Sequence, residues 1–366
     1  MALMRSVADD VKLDKFLDKT FAIDAKRTPE DIGVGATLGC LEMLRSGTTT
    51  FLDLYYSEDV IAKSVEQVGL RAYLGWAVLD EKHTTQKGRP IKNCEAFIQN
   101  HRNRPLITPV VAPQGIYVCS EETLIRSKEL AAREKTFCHY HLSETRYEVY
   151  EHQKKTGKRP VDWLADIGFL SKGDMAAHCA WLTVNEIRHL AKAGVRAVHC
   201  PTSNMKLASG GVAPLPEMFA EGVGVSLGTD GCSSNNSLDM FLEMKLASLM
   251  HKHNRWDAAV LNAQKCFDMA TIDAAKCLGA ERDLGSIEQG KKADLVIIDA
   301  SVPGMVPTSQ DNAVANIVYA SPSSAVRDVI VGGRTLMKNR NILSIDEGEV
   351  VSRAITAASV LMTGAK

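Results

Sequence analysis

The stretch Leu227-Gly-Thr-Asp-Gly-Cys-Ser-Ser-Asn-Asn236 is the most informative part of this chain. The apolar run from Val223 to Leu227 predicts a buried strand, which ends at a sharp Gly-Thr-Asp-Gly corner. Asp230 is therefore an acid at the carboxyl end of a strand. An isolated Asp before Gly is typical of a turn or a helix cap, so this position needs a second observation before it indicates chemistry.

A second predicted strand supplies that observation. The stretch Thr136-Phe-Cys-His-Tyr-His-Leu-Ser-Glu144 contains a strand that ends in His141, and an acid follows three residues later. In a parallel barrel, the carboxyl ends of the strands converge on one site. A His and an Asp at two strand ends, with Glu144 beside the His, suit a metal ion that activates water.

The region between residues 30 and 280 alternates between strand and helix patterns. Seven strands are predicted, centred near residues 48, 72, 107, 137, 175, 196 and 224. Strands that alternate with helices indicate parallel βα units. Seven is one short of a closed eight-stranded barrel. We therefore predict an α/β fold, a (β/α)₈ TIM-type barrel whose first strand is missing.

The pattern changes from about Asp283. A turn and a strand come first, and a hairpin with a Gly332-Gly333 turn follows between Ala325 and Met337. A closing helix is predicted after Asp346. We expect two domains, a hydrolase barrel over residues 1–282 and, over residues 283–366, part of a composite β-sandwich with a C-terminal helix.

Composition excludes several classes of function. The chain has 366 residues, 45% of them hydrophobic, and a net charge of −1. A net charge this close to zero does not indicate a surface that binds nucleic acid or a membrane, so a small-molecule partner is expected. No apolar run approaches the roughly 18 residues of a membrane helix. The nine cysteines are scattered without a C-x-x-C pair, which is typical of free thiols in a reducing cytoplasm.

Seven stretches carry a family resemblance, and they extend nearly from end to end of the chain. They are Arg5–Asp10, Met43–Phe51, His141–Thr145, Ala177–Cys179, His199–Ser209, Leu227–Asn236 and Leu284–Asp299. On these residues the chain resembles the amidohydrolase superfamily. The most similar branch is that of the 5-methylthioadenosine/S-adenosylhomocysteine deaminases and the related chlorohydrolases. The resemblance implies a metal-bearing (β/α)₈ barrel with a small composite β domain.

The resemblance also implies roles for site residues. His141 and Asp230 correspond to metal ligands on the fifth and eighth strands of the family barrel, for one divalent ion, zinc. Glu144 corresponds to the proton shuttle and Asp230 to the group that takes the proton of water. His178 corresponds to the sixth-strand histidine, which lies beside the metal or contacts the substrate.

Three further positions correspond to substrate contacts. Asp24 lies where the family usually has a ribose-binding Glu. Gln114 replaces a substrate-facing His, which leaves the exact substrate open. Arg89 matches the spacing of a substrate arginine.

The His-x-His motif of the family's first strand is absent, since no His occurs before His83. In the related proteins that motif lies just upstream of the residue that matches Met1. We therefore expect the reading frame to continue upstream of Met1 and to encode His-x-His. As it stands, the chain supplies only His141 and Asp230 as ligands, with His178 nearby.

The function expected from this resemblance is hydrolytic deamination of an adenine nucleoside such as 5'-methylthioadenosine or S-adenosylhomocysteine. Two alternatives remain open. One is a related chlorohydrolase or another aminohydrolase, and the other is an inactive barrel that lacks the His-x-His ligands. A barrel with an added β module often self-associates, so a homo-oligomer also remains open.

The other histidines have simpler interpretations. His139 is expected to be packed in the core, and His199, before Cys-Pro, to hold a loop. His251 and His253 are predicted to be a solvated pair near the end of a helix, where positive charge is favourable.

Overall fold

The computed structural model describes residues 2–11, 13–86 and 88–363. Its barrel strands are β1 (Thr50–Tyr55), β2 (Arg71–Val78), β3 (Ile107–Pro113), β4 (His139–Leu142), β5 (Met175–His178), β6 (Arg196–His199) and β7 (Val225–Leu227). The C-terminal strands are β8 (Leu295–Ile298), β9 (Val326–Val331), β10 (Arg334–Lys338) and β11 (Asn341–Ile342). All seven strands predicted for the barrel are confirmed.

Helices follow nearly every barrel strand. They are α1 (Leu13–Asp24), α2 (Pro29–Arg45), α3 (Glu58–Val68), α4 (Pro90–His101), α5 (Glu121–Arg133), α6 (Arg146–Thr156), α7 (Pro160–Asp166), α8 (Val184–Ala193), α9 (Pro201–Lys206), α10 (Leu215–Ala220), α11 (Met240–Arg255), α12 (Ala263–Met269), α13 (Ile272–Cys277), α14 (Ala313–Tyr319) and α15 (Glu347–Thr363). Single turns of 3-10 helix span Ala2–Met4, Pro303–Met305 and Ser323–Ala325. None of the described helices is long and apolar enough to cross a membrane.

The barrel strands run parallel in two sheets, β1-β2-β3 and β4-β5-β6-β7. A single bridge between Val111 and Cys138 joins β3 to β4. Within the described residues β1 pairs only with β2, and β7 only with β6, so these two strands form the free edges. The predicted α/β barrel fold with a C-terminal β module is confirmed.

Local sequence explains how the barrel elements form and pack. β2 is buried along almost its whole length, as expected for a parallel strand covered on both faces. α2 begins with a capping box, since the Thr28 hydroxyl accepts the Asp31 N–H and the Asp31 carboxylate accepts the Thr28 N–H. At Gly228, after β7, a Cβ atom would lie 2.8 Å from Val198 Cγ1, so only glycine permits this close approach to β6.

The C-terminal strands form one antiparallel sheet in the order β11-β10-β9-β8. The buried ion pair between Arg71 and Asp294, at 2.8 Å between Nε and Oδ2, links β2 to the start of this sheet. Side chains of β9 and β10 belong to the same buried hydrophobic cluster as the barrel core. The division at residues 282 and 283 stays a prediction, and the structure shows that one continuous core extends across it.

His251 is buried, so its predicted place in a solvated pair is wrong. The side chain is 0% exposed, and neither ring nitrogen has a hydrogen-bond partner in the described part of the chain. Its ring lies edge-on to that of the buried His199, with 5.3 Å between the ring centroids. The sequence interpretation placed His251 on the wrong face of α11, whereas His253 is exposed as expected.

This burial predicts an acid-sensitive contribution to stability. Burial lowers the pKa of His251 to about 4, below the value of about 6.5 in an unfolded chain. The unfolded state therefore binds the proton first, and stability is lost as the pH falls from about 6.5 to about 4. We expect His251→Leu to reduce this loss and to stabilise the fold by about 1–3 kcal/mol at acidic pH, because it removes an unpaired buried polar group.

Thermal denaturation across this pH range measures the effect. His253→Leu changes an exposed His on the same helix and should leave the pH dependence as it is. Equal acid sensitivity of the wild type and His251→Leu would show that the buried ring of His251 does not contribute to the loss of stability at acidic pH.

Candidate active site

A cavity of about 1050 Å³ extends along the barrel from the residues before β1 to the carboxyl ends of the strands, and the segment before β8 also lines it. Most of the site residues predicted from the sequence line it, namely Asp24, Gln114, His141, Glu144, His178 and Asp230. Arg89 does not line it. The strand ends named in the sequence analysis therefore do meet in one place.

His141 lies near the end of β4, and its ring orientation is fixed by a backbone carbonyl. Its Nδ1 donates a hydrogen bond of 2.6 Å to the carbonyl oxygen of Gln114, which also accepts the His141 backbone N–H at 3.0 Å. Burial, and then the neighbouring His178, lower the pKa of His141. The ring is therefore a neutral imidazole whose Nε2 lone pair is available, the form in which histidine binds a metal.

Asp230 follows β7 with φ of +61°, a left-handed conformation that is strained for a non-glycine residue. Its Oδ2 accepts hydrogen bonds from the hydroxyls of Ser203, at 2.6 Å, and Ser234, at 2.8 Å. Its Oδ1 accepts the Gly231 N–H at 2.7 Å. Burial alone would raise the pKa of Asp230, but His178 and the Ser203 hydroxyl outweigh it and the pKa is lowered. Asp230 is therefore ionised.

His178 ends β5, and its ring is stacked on that of His141 at a centroid distance of 5.4 Å. The side-chain amide of Asn204 donates to His178 Nδ1 at 3.1 Å. Because Nδ1 accepts this hydrogen bond, the proton of the neutral ring is on Nε2. His178 Nε2 lies 3.7 Å from Glu144 Oε2. This pattern favours contact with a substrate over ligation of a metal through Nε2, and both roles stay predictions.

Glu144 lies between β4 and α6, directly before Thr145, the N-cap residue of α6. Burial raises the pKa of Glu144 to about 7, although His141 favours its ionised form. The carboxylate of Glu148 accepts the backbone N–H groups of Ser143, at 3.0 Å, and Glu144, at 2.8 Å. Glu148 therefore fixes the backbone that directs Glu144 into the cavity.

Asp24, expected to bind ribose, lines the cavity with its carboxylate already engaged. It accepts a hydrogen bond of 2.6 Å from the Tyr55 hydroxyl and another from the Tyr56 hydroxyl, and it pairs with Arg27. Burial raises its pKa despite the Arg27 charge.

Arg89 is the one predicted site residue that the structure does not bring to the cavity. It precedes α4 as the N-cap residue, is 69% exposed, and lies 3.6 Å from Glu81 between Nε and Oε1. Spacing alone suggested its role, and spacing does not determine the direction in which a loop side chain points.

The model of the amidohydrolase family matches residues 1–336. The chain belongs to the amidohydrolase family. This confirms the superfamily inferred from the sequence, and the chain is an enzyme of the aminohydrolase type.

Two deaminases are similar to this chain over nearly its whole length. The 5-methylthioadenosine/S-adenosylhomocysteine deaminase of Thermodesulfovibrio yellowstonii is 42% identical over 359 residues, which cover 97% of this chain and 81% of that protein. The 5'-deoxyadenosine deaminase of Methanosarcina barkeri is 40% identical over 366 residues, which cover 99% of this chain and 84% of that protein.

Solved structures give the same picture. An adenosine deaminase from Xanthomonas campestris with bound zinc superposes with a TM-score of 0.95 at 33% identity, covering 99% of this chain and 83% of that one. A triazine hydrolase from Arthrobacter aurescens superposes with a TM-score of 0.89 at 22% identity, covering 98% and 84%. The second likeness shows a shared fold alone.

The donors at this amidohydrolase site fit a divalent ion in kind. His141 Nε2 is a free imidazole nitrogen and Asp230 an ionised carboxylate, which are the nitrogen and oxygen ligands that zinc accepts. The number of ligands is small, because no group of three or more His, Cys, Asp or Glu among the described residues is arranged to hold a metal.

Several residues around the site were missed by the sequence analysis. They are Tyr117, whose ring lies edge-on to His141 at 6.4 Å, and Glu148, Ser203, Asn204 and Ser234, whose contacts are given above. A signal existed for Ser203, Asn204 and Ser234, because they lie inside the stretches that carry the family resemblance.

Proposed function

We propose that this protein catalyses hydrolytic deamination of an adenine nucleoside. Water replaces the exocyclic amine of the purine, and ammonia leaves. Relatives that are about 40% identical over nearly the whole chain are named as deaminases of such nucleosides. Hydrolytic deamination needs an acid that donates a proton and a carboxylate that accepts one. Glu144 and Asp230, which both line the cavity, are suited to these two roles.

The position of Glu144 carries this proposal. Its carboxyl group lines the cavity beside His178 and follows the strand that ends in His141. A general acid must lie within reach of the substrate and hold its proton near neutral pH, and burial gives Glu144 that property. We assign Glu144 to protonate the purine ring nitrogen next to the carbon that bears the amine.

We also propose one divalent metal per chain, zinc, held by His141 Nε2 and the Asp230 carboxylate, with His178 beside it. A zinc ion held by these residues would lower the pKa of a water molecule toward about 7. Asp230, which its hydrogen bonds keep ionised, accepts the proton of the attacking water. Two protein ligands make a weak site, so zinc must be supplied in excess when activity is measured.

The substrate contacts proposed are those of Asp24, Gln114 and His178. A carboxylate has about four lone-pair positions, so Asp24 can accept a ribose hydroxyl beside its present donors. His178 Nε2 has no hydrogen-bond partner among the described residues and is free to donate to the purine. A contact of Arg89 with the substrate stays a prediction from the family resemblance, since its side chain does not line the cavity.

Release of ammonia from a panel of nucleosides tests this proposal. The panel contains adenosine, 5'-methylthioadenosine, 5'-deoxyadenosine and S-adenosylhomocysteine, with a chlorotriazine as the alternative substrate and zinc in excess. We expect ammonia from at least one nucleoside and no chloride from the triazine. Chloride release would favour the chlorohydrolase alternative, and absence of any turnover with zinc bound would favour the inactive barrel.

We place the reaction in the cytoplasm. All nine cysteines are free and buried within the described residues, which suits a reducing compartment.

A further inference from the structure

Glu243 is a buried acid that lies outside the cavity and has no basic partner among the described residues. It is in the first turn of α11 and is 0% exposed. Among the described residues, no Lys, Arg or His lies within ion-pair distance of it. A buried carboxylate without a cation is costly unless hydrogen bonds compensate for the lost water.

Its two oxygens bind two different segments of the chain. Oε2 accepts the backbone N–H of Thr202, at the start of α9, with 3.3 Å between the atoms. Oε1 accepts the side-chain amide of Asn235, in the loop after β7, at 2.8 Å. The same amide donates to the carbonyl oxygen of Thr229 at 2.6 Å. Glu243 therefore ties the loop after β6 to the loop after β7.

Each of these segments also contacts Asp230. Ser203 is next to Thr202, and Ser234 is next to Asn235. Their hydroxyls both donate to Asp230 Oδ2, at 2.6 and 2.8 Å. Two donors on one oxygen hold the plane of the carboxylate, so the position of Asp230 depends on the position of these two loops.

We propose that Glu243 is a positioning residue for deamination, whose carboxylate holds in place the two serines that orient Asp230. The proposal rests on the proposed function, because Asp230 has its role there. All the contacts of Glu243 named above are with donors, so both of its oxygens act as acceptors. In Glu243→Gln, one oxygen becomes an amide N–H that faces another donor, while size and shape are kept.

Hydrogen–deuterium exchange and kinetics of Glu243→Gln test this proposal on the zinc-loaded protein. We expect faster exchange of the backbone amides of residues 202–206 and 228–236. Outer hydrogen-bond partners of metal sites typically contribute about 10–100-fold to metal affinity or activity. Glu243 acts on Asp230 only through the segments that contain Ser203 and Ser234. We therefore expect zinc affinity and kcat each to fall by about 10-fold, the lower end of this range, with KM nearly unchanged because Glu243 does not line the cavity.

Glu186→Gln is a matched control. Glu186 is also 0% exposed, but it pairs with Arg159 and caps α8, and it does not line the cavity. This variant should lower the melting temperature while exchange in the two loops and kcat stay at wild-type values. If Glu243→Gln does not fold, Asn235→Ala cuts the same connection from its other end.

The outcomes separate this inference from the proposed function. Unchanged exchange in both loops overturns the inference, whatever the activity. Faster exchange with wild-type zinc affinity and kcat also overturns it, because the loops would then loosen without moving Asp230. A wild type that binds zinc but releases no ammonia contradicts the proposed function. In that case the hydrogen–deuterium exchange of the two loops and the zinc affinity of Glu243→Gln still decide whether Glu243 positions Asp230.

Discussion

Glu144→Gln is expected to lower kcat by about 10²–10⁴-fold, the usual effect of removing a general acid. Glutamine keeps the shape of the side chain and its place beside His178, but it has no proton to give to the purine ring. Because His141 and Asp230 are unchanged, zinc content should stay at the wild-type level. Steady-state kinetics with metal analysis of the same sample measures both quantities.

Glu151→Gln is the control for this variant. Glu151 is exposed on α6, the helix that follows Glu144, and its substitution should leave kcat unchanged. A Glu144→Gln protein that retains more than about a tenth of the wild-type rate lies outside the expected range, and Glu144 would then have no part in proton transfer.

Asp230→Asn is expected to lower both zinc content and kcat, to a level near the detection limit. Asparagine keeps the size of the side chain but loses the charge that attracts the metal and the base that accepts the proton of water. Asparagine also has only one acceptor oxygen, so it cannot accept all the hydrogen bonds that Asp230 accepts from Ser203, Ser234 and Gly231 through its two oxygens. Equilibrium dialysis against zinc, followed by the ammonia assay, measures the two losses.

Asp257→Asn serves as the comparison, since Asp257 is exposed beyond the end of α11. Stoichiometric zinc and wild-type activity in Asp230→Asn would mean that Asp230 is only a turn residue at the end of β7.

Much of the barrel could be predicted because its strands are short apolar runs that end in polar residues. β7 and β4 are examples, and their ends led directly to Asp230 and His141. Helix α1 was not predicted, and neither were the short helices α9, α10, α12, α13 and α14. Each of these short helices has six or seven residues, which is less than two full turns, so the helical period is weak in the sequence. The equally short α7 was predicted, and it begins with Pro160 at its first position.

The connections between site residues could not be predicted, because they join residues far apart in the chain. The bond from Gln114 to His141 uses a backbone carbonyl, which every residue possesses. The bonds from Ser203 and from Glu243 to the loop after β7 depend on how the loops fold over the barrel. The burial of His251 depends on which face of α11 packs inward.

Hydrolytic deamination is tested most directly by following the oxygen of water into the product. The zinc-loaded protein is incubated with 5'-methylthioadenosine in water enriched in heavy oxygen, and the nucleoside is examined by mass spectrometry. We expect the product to carry one solvent oxygen on the purine in place of the amine, with one ammonia released per product and the glycosidic bond intact. Release of free adenine, or a product without solvent oxygen on the purine, would contradict the proposed reaction.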